Sequence, residues 1–157
     1  AWLKMVKKGT GSSAVNYAEA LESPLGYGWS DGQKAAFDER YWRQRFTPRR
    51  PKSIWSRVNR DKATALIAEG RMQPTGLHQV ERAKDDGRWE AAYHSQRTME
   101  IPDDFARALD NAPKAREFFG TLDSANRYAI LWRIQTAIQS ETRAARIETF
   151  LARPAKW

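Results

Sequence analysis

The residues best suited to chemistry lie in one stretch, RYWRQRFTPRRPKSIWSRVNR, between Arg40 and Arg60. This stretch carries eight basic residues and no acidic residue, whereas the rest of the chain carries 19 Lys and Arg against 19 Asp and Glu. The formal net charge of +8 therefore arises here. Guanidinium groups stay protonated and donate paired hydrogen bonds to phosphate or carboxylate, and the interleaved aromatic rings can stack a base. The stretch predicts a binding surface for an anion.

Seven side chains of this stretch are the candidate binding residues, five arginines and two aromatic residues: Arg43, Arg45, Arg49, Arg50, Arg57, Tyr41 and Trp55. The partner is an anionic ligand or an acidic protein surface, and nucleic acid is one such anion. The stretch contains no RRM, KH or zinc-finger signature that would name the anion. The alternative is that these arginines pair with the chain's own carboxylates or face water, as surface arginines usually do. Each such exposed ion pair contributes only about 0–1 kcal/mol.

Asp31, in the string GWSDG, is a candidate polar site. Together with Glu19 it is the candidate acid or base of an alternative function, an enzyme acting on a small anionic substrate. That function requires a deep pocket with convergent polar groups beside GWSDG. The string is not the G-x-S-x-G nucleophile motif. We therefore favour a structural role in which Asp31 accepts hydrogen bonds that fix a turn, and we predict no catalytic residue.

Metal and cofactor chemistry find little support in the residue types. The chain has no cysteine, which excludes disulfides, thiolate zinc sites and cysteine nucleophiles. His78 has no histidine or acid at i+4, so it lacks a helical zinc motif, and with His94 it is expected at the surface. The acid pairs 85–86 and 103–104 lie at predicted helix ends, where capping explains them. We expect no metal and no cofactor.

Three strands must position the basic stretch. Residues 2–7 alternate as a short strand, and residues 33–37 and 40–47 predict an antiparallel hairpin linked by Asp38-Glu39. In the second hairpin strand, Trp42 and Phe46 fall on one face and Tyr41, Arg43 and Arg45 on the other. The prolines at 48 and 51 force extended backbone before them and are expected to hold Arg49 and Arg50 outward.

Helices follow from capping and apolar spacing. Asn16 and Glu19 predict a capping box, whose helix Pro24 should disrupt, and GYGWSDG reads as a turn region after the loop GTGSS at 9–13. Later helices are expected at 60–69 (capped by Asn59), 74–86, 103–109, 113–119, 125–138 (capped by Ser124) and 141–151. The predicted class is α+β, a small N-terminal antiparallel sheet with helices followed by a C-terminal helical cluster. Residues 1–72 and 73–157 are predicted to form these two parts, packed as one unit.

Five strings carry a family resemblance: GWSDGQ at 28–33, RFTPRRPKSIWSRVNR at 45–60, LIAEGRM at 66–72, GRWEAAY at 87–93 and ETRAARI at 141–147. In this order they resemble the YdeI/OmpD-associated family, whose bacterial members are often labelled bacteriocin-protection proteins. The resemblance implies a small bacterial α+β protein with a helical C-terminal region and further residues upstream of Ala1. It attaches no catalytic residues to these motifs. Pro24 and Ser30 depart from the family pattern, which has an unbroken helix and GWIDG.

The family label adds a third function, protection against bacteriocins or other membrane-active peptides. A net charge of +8 repels cationic peptides, so such protection would be indirect. No stretch approaches the roughly 18 apolar residues of a membrane span. We expect a cytoplasmic protein. The start at Ala1 suggests a shortened N-terminus, which leaves a periplasmic setting open, and the oligomeric state is unknown from sequence.

Overall fold

A computed structural model describes residues 1–10 and 15–156. Within these residues the chain forms three β-strands and seven α-helices, and the predicted α+β class with a small N-terminal antiparallel sheet is confirmed. The chain divides into two compact units, residues 1–53 with 59–86 and residues 54–58 with 87–157. The predicted division into 1–72 and 73–157 stays a prediction. Residues 11–13 of the predicted GTGSS loop lie outside the described residues.

The sheet of the first unit contains strands β1 (Trp2–Val6), β2 (Trp29–Ala36) and β3 (Tyr41–Pro48) in the order β1-β3-β2. Both pairs are antiparallel. The β2–β3 link lacks a glycine, and the Asp38 side chain stabilises it by accepting hydrogen bonds of 2.8 Å from the backbone N–H groups of Arg40 and Tyr41. Burial would raise the pKa of Asp38, but these two N–H donors, together with nearby lysines, lower it below its ordinary value.

Strand β2 begins at Trp29, so the turn predicted for GYGWSDG is wrong over its second half. The register shifts between Asp31 and Lys34, where an extra residue forms a bulge opposite β3. The buried amide of Gln44 holds this bulge, since its Nε2 donates to the carbonyls of Gly32 at 2.9 Å and Gln33 at 3.3 Å. Pairing with β3, together with this bulge, therefore places the glycine-containing segment that starts at Trp29 in a strand.

Helix α1 (Tyr17–Gly26) begins at the predicted capping box, since Asn16 and Glu19 exchange side-chain and backbone hydrogen bonds. The predicted disruption at Pro24 is wrong, because the helix continues through it to Gly26. Pro24 lies in the last turn, where a proline removes a single backbone hydrogen bond and the helix ends two residues later.

Helices α2 (Arg57–Ala68) and α3 (Pro74–Asp85) follow the sheet where the sequence predicts helices, but Asn59, the predicted cap of α2, lies inside that helix. Helix α3 approaches the end of α1 so closely that a Cβ on Gly76 would lie 2.2 Å from the Gly26 carbonyl oxygen. Gly28, just past α1, has φ of 83°, a left-handed conformation that favours glycine. Gly76 and Gly28 therefore allow α1 and α3 to pack closely near the start of β2.

The second unit is the predicted helical cluster. It contains α4 (Asp103–Asp110), α5 (Pro113–Thr121), α6 (Ser124–Gln135), α7 (Ser140–Ala152) and a short 3-10 helix at Pro154–Lys156. Its core is aromatic: Phe105 packs edge-on against Phe119 and Phe150, with ring centroids 5.4 and 5.6 Å away. The predicted cap of α6 is corrected by one residue, because Asp123, and not Ser124, accepts from the Asn126 N–H.

Arg143 and Asp104 form a bidentate ion pair between α7 and α4, with nitrogen–oxygen distances of 2.5 and 2.9 Å. Hydrogen bonds from the Arg143 guanidinium lower the pKa of Asp104 below its ordinary value of 3.8, against an opposing effect of burial. The side chains are 27% and 39% exposed, so solvent screening reduces the gain. The pair therefore stabilises the folded state above the unfolded pKa of Asp104, and this contribution is lost as pH falls through the lowered pKa.

We expect Arg143→Ala to reduce the free energy of unfolding by about 1 kcal/mol at neutral pH, because the pair is bidentate and partly buried. The difference from the unmodified protein should shrink as pH falls below the unfolded pKa of Asp104 and through its lowered folded-state pKa. Urea unfolding at several pH values measures this. Arg116→Ala is the control, since its pair with Asp110 is 67% and 66% exposed and should contribute only a few tenths of a kcal/mol. A pH-independent loss in Arg143→Ala would contradict the assignment.

Candidate anion-binding face

The exposed side of the sheet is a basic and aromatic surface, called here the outer sheet face. Its residues come from β1, β3 and the link between β2 and β3, and they are Trp2, Lys4, Phe37, Tyr41, Arg43 and Arg45. In the antiparallel register Trp2 lies opposite Arg45 and Lys4 opposite Arg43, so the paired residues share one side. The other side of the sheet carries the buried side chains of Met5, Gln44 and Phe46.

Cations and rings alternate across the outer sheet face. The Nζ of Lys4 lies 3.9 Å from the ring centroid of Tyr41 and 4.5 Å from that of Phe37. The Arg43 guanidinium lies 5.1 Å from the ring centroid of Trp2. Such contacts contribute about 0.5–1 kcal/mol at exposed sites. They hold the cations in place without neutralising them.

Arg45 and Arg50 converge on one cleft of about 260 Å³, called here the arginine cleft. Its other lining residues include Gly32, Gln33, Thr47 and Ser53. The Arg45 guanidinium donates to the Gln33 side-chain oxygen at 3.4 Å, across the bulge that Gln44 holds. Ser53 Oγ accepts from the backbone N–H of Arg50 at 2.8 Å, which fixes the loop after β3. Two guanidinium groups and neutral polar groups around one space suit a phosphate or carboxylate.

The cations of this region keep their charge available. Within the described residues, Arg43, Arg45 and Arg50 form no ion pair with a carboxylate. The ion pairs found there use other arginines, such as Arg71 with Glu22 and Glu69. Asp38, in the β2–β3 link, lies near enough to Lys4 for the lysine charge to help lower its pKa. The positive potential is therefore concentrated around Arg43, Arg45 and Arg50.

Three of the predicted binding residues lie elsewhere. The outward position predicted for Arg49 is wrong: its side chain is 7% exposed, and its backbone N–H donates to the Gly28 carbonyl at 3.1 Å, which keeps the chain against the end of α1. Trp55 is 1% exposed and packs edge-on against Trp89 in the second unit, so it offers no stacking face. Arg57 is half-buried there, and its Nε donates to the Ala92 carbonyl at 3.4 Å.

Sequence reasoning missed Trp2, Lys4 and Phe37 as members of the face. The alternation of residues 2–7 already placed Trp2 and Lys4 on one side of a strand. The missing information was the pairing of β1 with β3, which joins positions 43 residues apart in Trp2 and Arg45. Phe37 lies just beyond β2 and is 54% exposed, with the Lys4 Nζ 4.5 Å from its ring centroid.

Asp31 joins three elements of the first unit. Its Oδ2 accepts a hydrogen bond from the Tyr17 hydroxyl of α1, and its Oδ1 accepts one of 2.9 Å from the Asn59 amide of α2. Asn59 is only 6% exposed. The other candidate acid, Glu19, accepts the Asn16 backbone N–H in the capping box. Both carboxyl groups have structural hydrogen-bond partners, which does not favour the enzyme alternative.

The remaining chemical candidates are dispersed. His78 is exposed, and His94 is half-buried in the second unit, where its backbone N–H donates to Gln135 and its carbonyl accepts from Tyr128. Across residues 1–10 and 15–156, no three His, Cys, Asp or Glu residues gather in a group able to hold a metal ion. In the same residues, no helix combines the length and apolar character that crossing a bilayer requires.

Comparison with known proteins gives two matches along the chain. Residues 1–79 match the family described as Domain of unknown function (DUF8412). Residues 98–156 match the family described as Bacteriocin-protection, YdeI or OmpD-Associated, which confirms over that range the resemblance seen in the sequence. Neither the curated proteins nor the solved structures contain a match to this chain. The outer sheet face and the arginine cleft both lie within the first match, and ETRAARI lies within the second.

Proposed function

We propose that the chain, which belongs to the family of the domain of unknown function DUF8412, is a non-enzymatic protein that binds an anionic partner. The binding surface is the outer sheet face with the arginine cleft. The bacteriocin-protection match over residues 98–156 suggests the setting, a role in protection against bacteriocins or related stress. Because the net charge of +8 repels cationic peptides, that protection acts through the anionic partner and not through capture of the peptide. A cytoplasmic location in a bacterium is part of the proposal.

One observation carries the proposal: Arg45 and Arg50 line the same cleft, and neither pairs with a carboxylate of the described residues. Two like charges directed at one space repel each other, and nothing among the described acidic groups compensates them there. An anion would relieve this repulsion and accept the guanidinium hydrogen bonds. The cleft is small and open beside a flat face, a shape suited to holding part of an extended anion.

We expect the protein to bind fluorescein-labelled polyphosphate, with an affinity that falls steeply as salt rises. Each neutralised phosphate of a flexible polyanion contributes about −0.7 to the slope of log K against log salt. The double variant Arg45→Ala/Arg50→Ala should reduce the magnitude of that slope by about 1.4, since it removes two contacts. Its affinity at low salt should fall about tenfold or more. Fluorescence anisotropy across a salt series measures both quantities.

A control for net charge is Lys114→Ala/Arg116→Ala, which removes two positive charges from helix α5. We expect its salt slope to match that of the unmodified protein. Equal slopes for the cleft variant and this control would show that binding follows overall charge and not the cleft. Failure of the folded protein to bind polyphosphate at low salt would refute the proposed surface.

A further inference from the structure

We propose that the anionic partner is single-stranded nucleic acid, with a phosphate in the arginine cleft and a base stacked on Trp2. This inference rests on the proposed function and names its partner. Trp2 is 48% exposed, large for a tryptophan, and lies directly opposite Arg45 in the β1–β3 register. Arg45 thus stands between the cleft on the β2 side and an exposed indole on the β1 side. A ligand spanning both positions needs a phosphate joined to a flat ring.

The rest of the outer sheet face repeats this pairing of charge and ring. Arg43 and Arg45 are separated by two residues along β3, a distance of about 7 Å. Successive phosphates of an extended single strand recur on a similar scale. Exposed rings continue past Arg43 as Tyr41 and Phe37, with Lys4 beside both. Alternating cations and aromatic rings on an open surface are the features that single strands use, since the backbone follows the charges and the bases stack.

The same features disfavour the other anions. An acidic protein surface gains nothing specific from half-exposed rings placed between the cations. A small phosphorylated ligand needs a pocket that encloses most of its surface, whereas the arginine cleft holds only about 260 Å³ and is open to solvent. A nucleic-acid duplex keeps its bases stacked inside and presents no ring faces to Trp2 or Phe37. The geometry therefore favours a single strand over each of these.

The test compares fluorescein-labelled single-stranded oligothymidine, its duplex with oligoadenosine, and labelled polyphosphate at one low salt concentration. We expect the single strand to bind more tightly than either of the others. Trp2→Ala should weaken single-strand binding about tenfold, on the scale of one stacked base, and should weaken polyphosphate binding by much less. Trp2→Phe, which keeps a ring, should recover most of the loss. Ile101→Ala is the control, since Ile101 is 46% exposed, close to the exposure of Trp2, and belongs to the second unit.

The outcomes separate this inference from the proposed function. Polyphosphate binding that depends on Arg45 and Arg50, without preference for the single strand, would overturn the inference and leave the proposed function standing. Equal binding of duplex and single strand, or equal losses in Trp2→Ala and Ile101→Ala, would also overturn it. Absence of binding to all three probes would overturn both. Circular dichroism of each variant establishes that loss of binding is not loss of folding.

Discussion

Gly76→Ala is expected to destabilise the first unit by about 3 kcal/mol. The added Cβ would lie 2.2 Å from the carbonyl oxygen of Gly26 and 2.4 Å from the sulfur of Met72. Met72 can rotate away, but the Gly26 oxygen belongs to the backbone and accepts the Gln73 N–H at 3.0 Å, so it cannot move without cost. Overpacking of this kind typically costs about 1–3 kcal/mol, and a backbone clash places this variant at the upper end.

Urea unfolding measures the effect, and hydrogen exchange of α1 and α3 assigns it to the first unit. The matched control is Gly120→Ala in α5, where a Cβ would meet no atom within 4 Å. That substitution should stabilise its helix by about 0.5 kcal/mol, because alanine loses less backbone freedom than glycine on folding. If Gly76→Ala were as stable as the control, the close approach of α1 to α3 would be wrong.

The local features of this fold were readable from the sequence. The capping box of Asn16 and Glu19 is a short-range exchange of hydrogen bonds, and it sets the start of α1 as predicted. The period-two pattern of β3 likewise predicted that Phe46 lies on one side of the sheet and Arg43 and Arg45 on the other. In the structure Phe46 is buried and both arginines are exposed. Each of these depends on residues within a few positions of one another, so sequence spacing is enough to specify it.

The features that were missed depend on distant residues. Gly76 and Gly26 are 50 positions apart, and nothing local indicates that one will contact the other. The position of Arg49 was wrong because the proline before it fixes backbone shape but not what lies alongside; the bond to Gly28 decides its burial. For the same reason the candidate surface changed composition. Trp55, which the sequence placed on this surface, is buried in the second unit, and Trp2 lies on the surface because β1 pairs with β3.

Asp31→Ala is the second variant with a large expected effect, a destabilisation of about 2–3 kcal/mol. It removes the acceptor that serves the Tyr17 hydroxyl and the Asn59 amide, and each such bond contributes about 1–1.5 kcal/mol. Asn59 is buried, so water does not readily take the place of the lost carboxyl oxygen. Thermal or urea unfolding of the variant measures the loss.

Asp31→Asn is the matched control, because it keeps the shape and one acceptor oxygen. Its amide oxygen can accept from Asn59, while the Tyr17 hydroxyl can rotate and accept from the new NH₂ group, so we expect a loss of about 1 kcal/mol or less. The pair also separates the binding protein from the enzyme alternative. A carboxyl group held for chemistry tends to be dispensable for stability, since active sites trade stability for function. If Asp31→Ala unfolds no more readily than the unmodified protein, Asp31 does not join the three elements, and acid–base chemistry becomes the better explanation of its position.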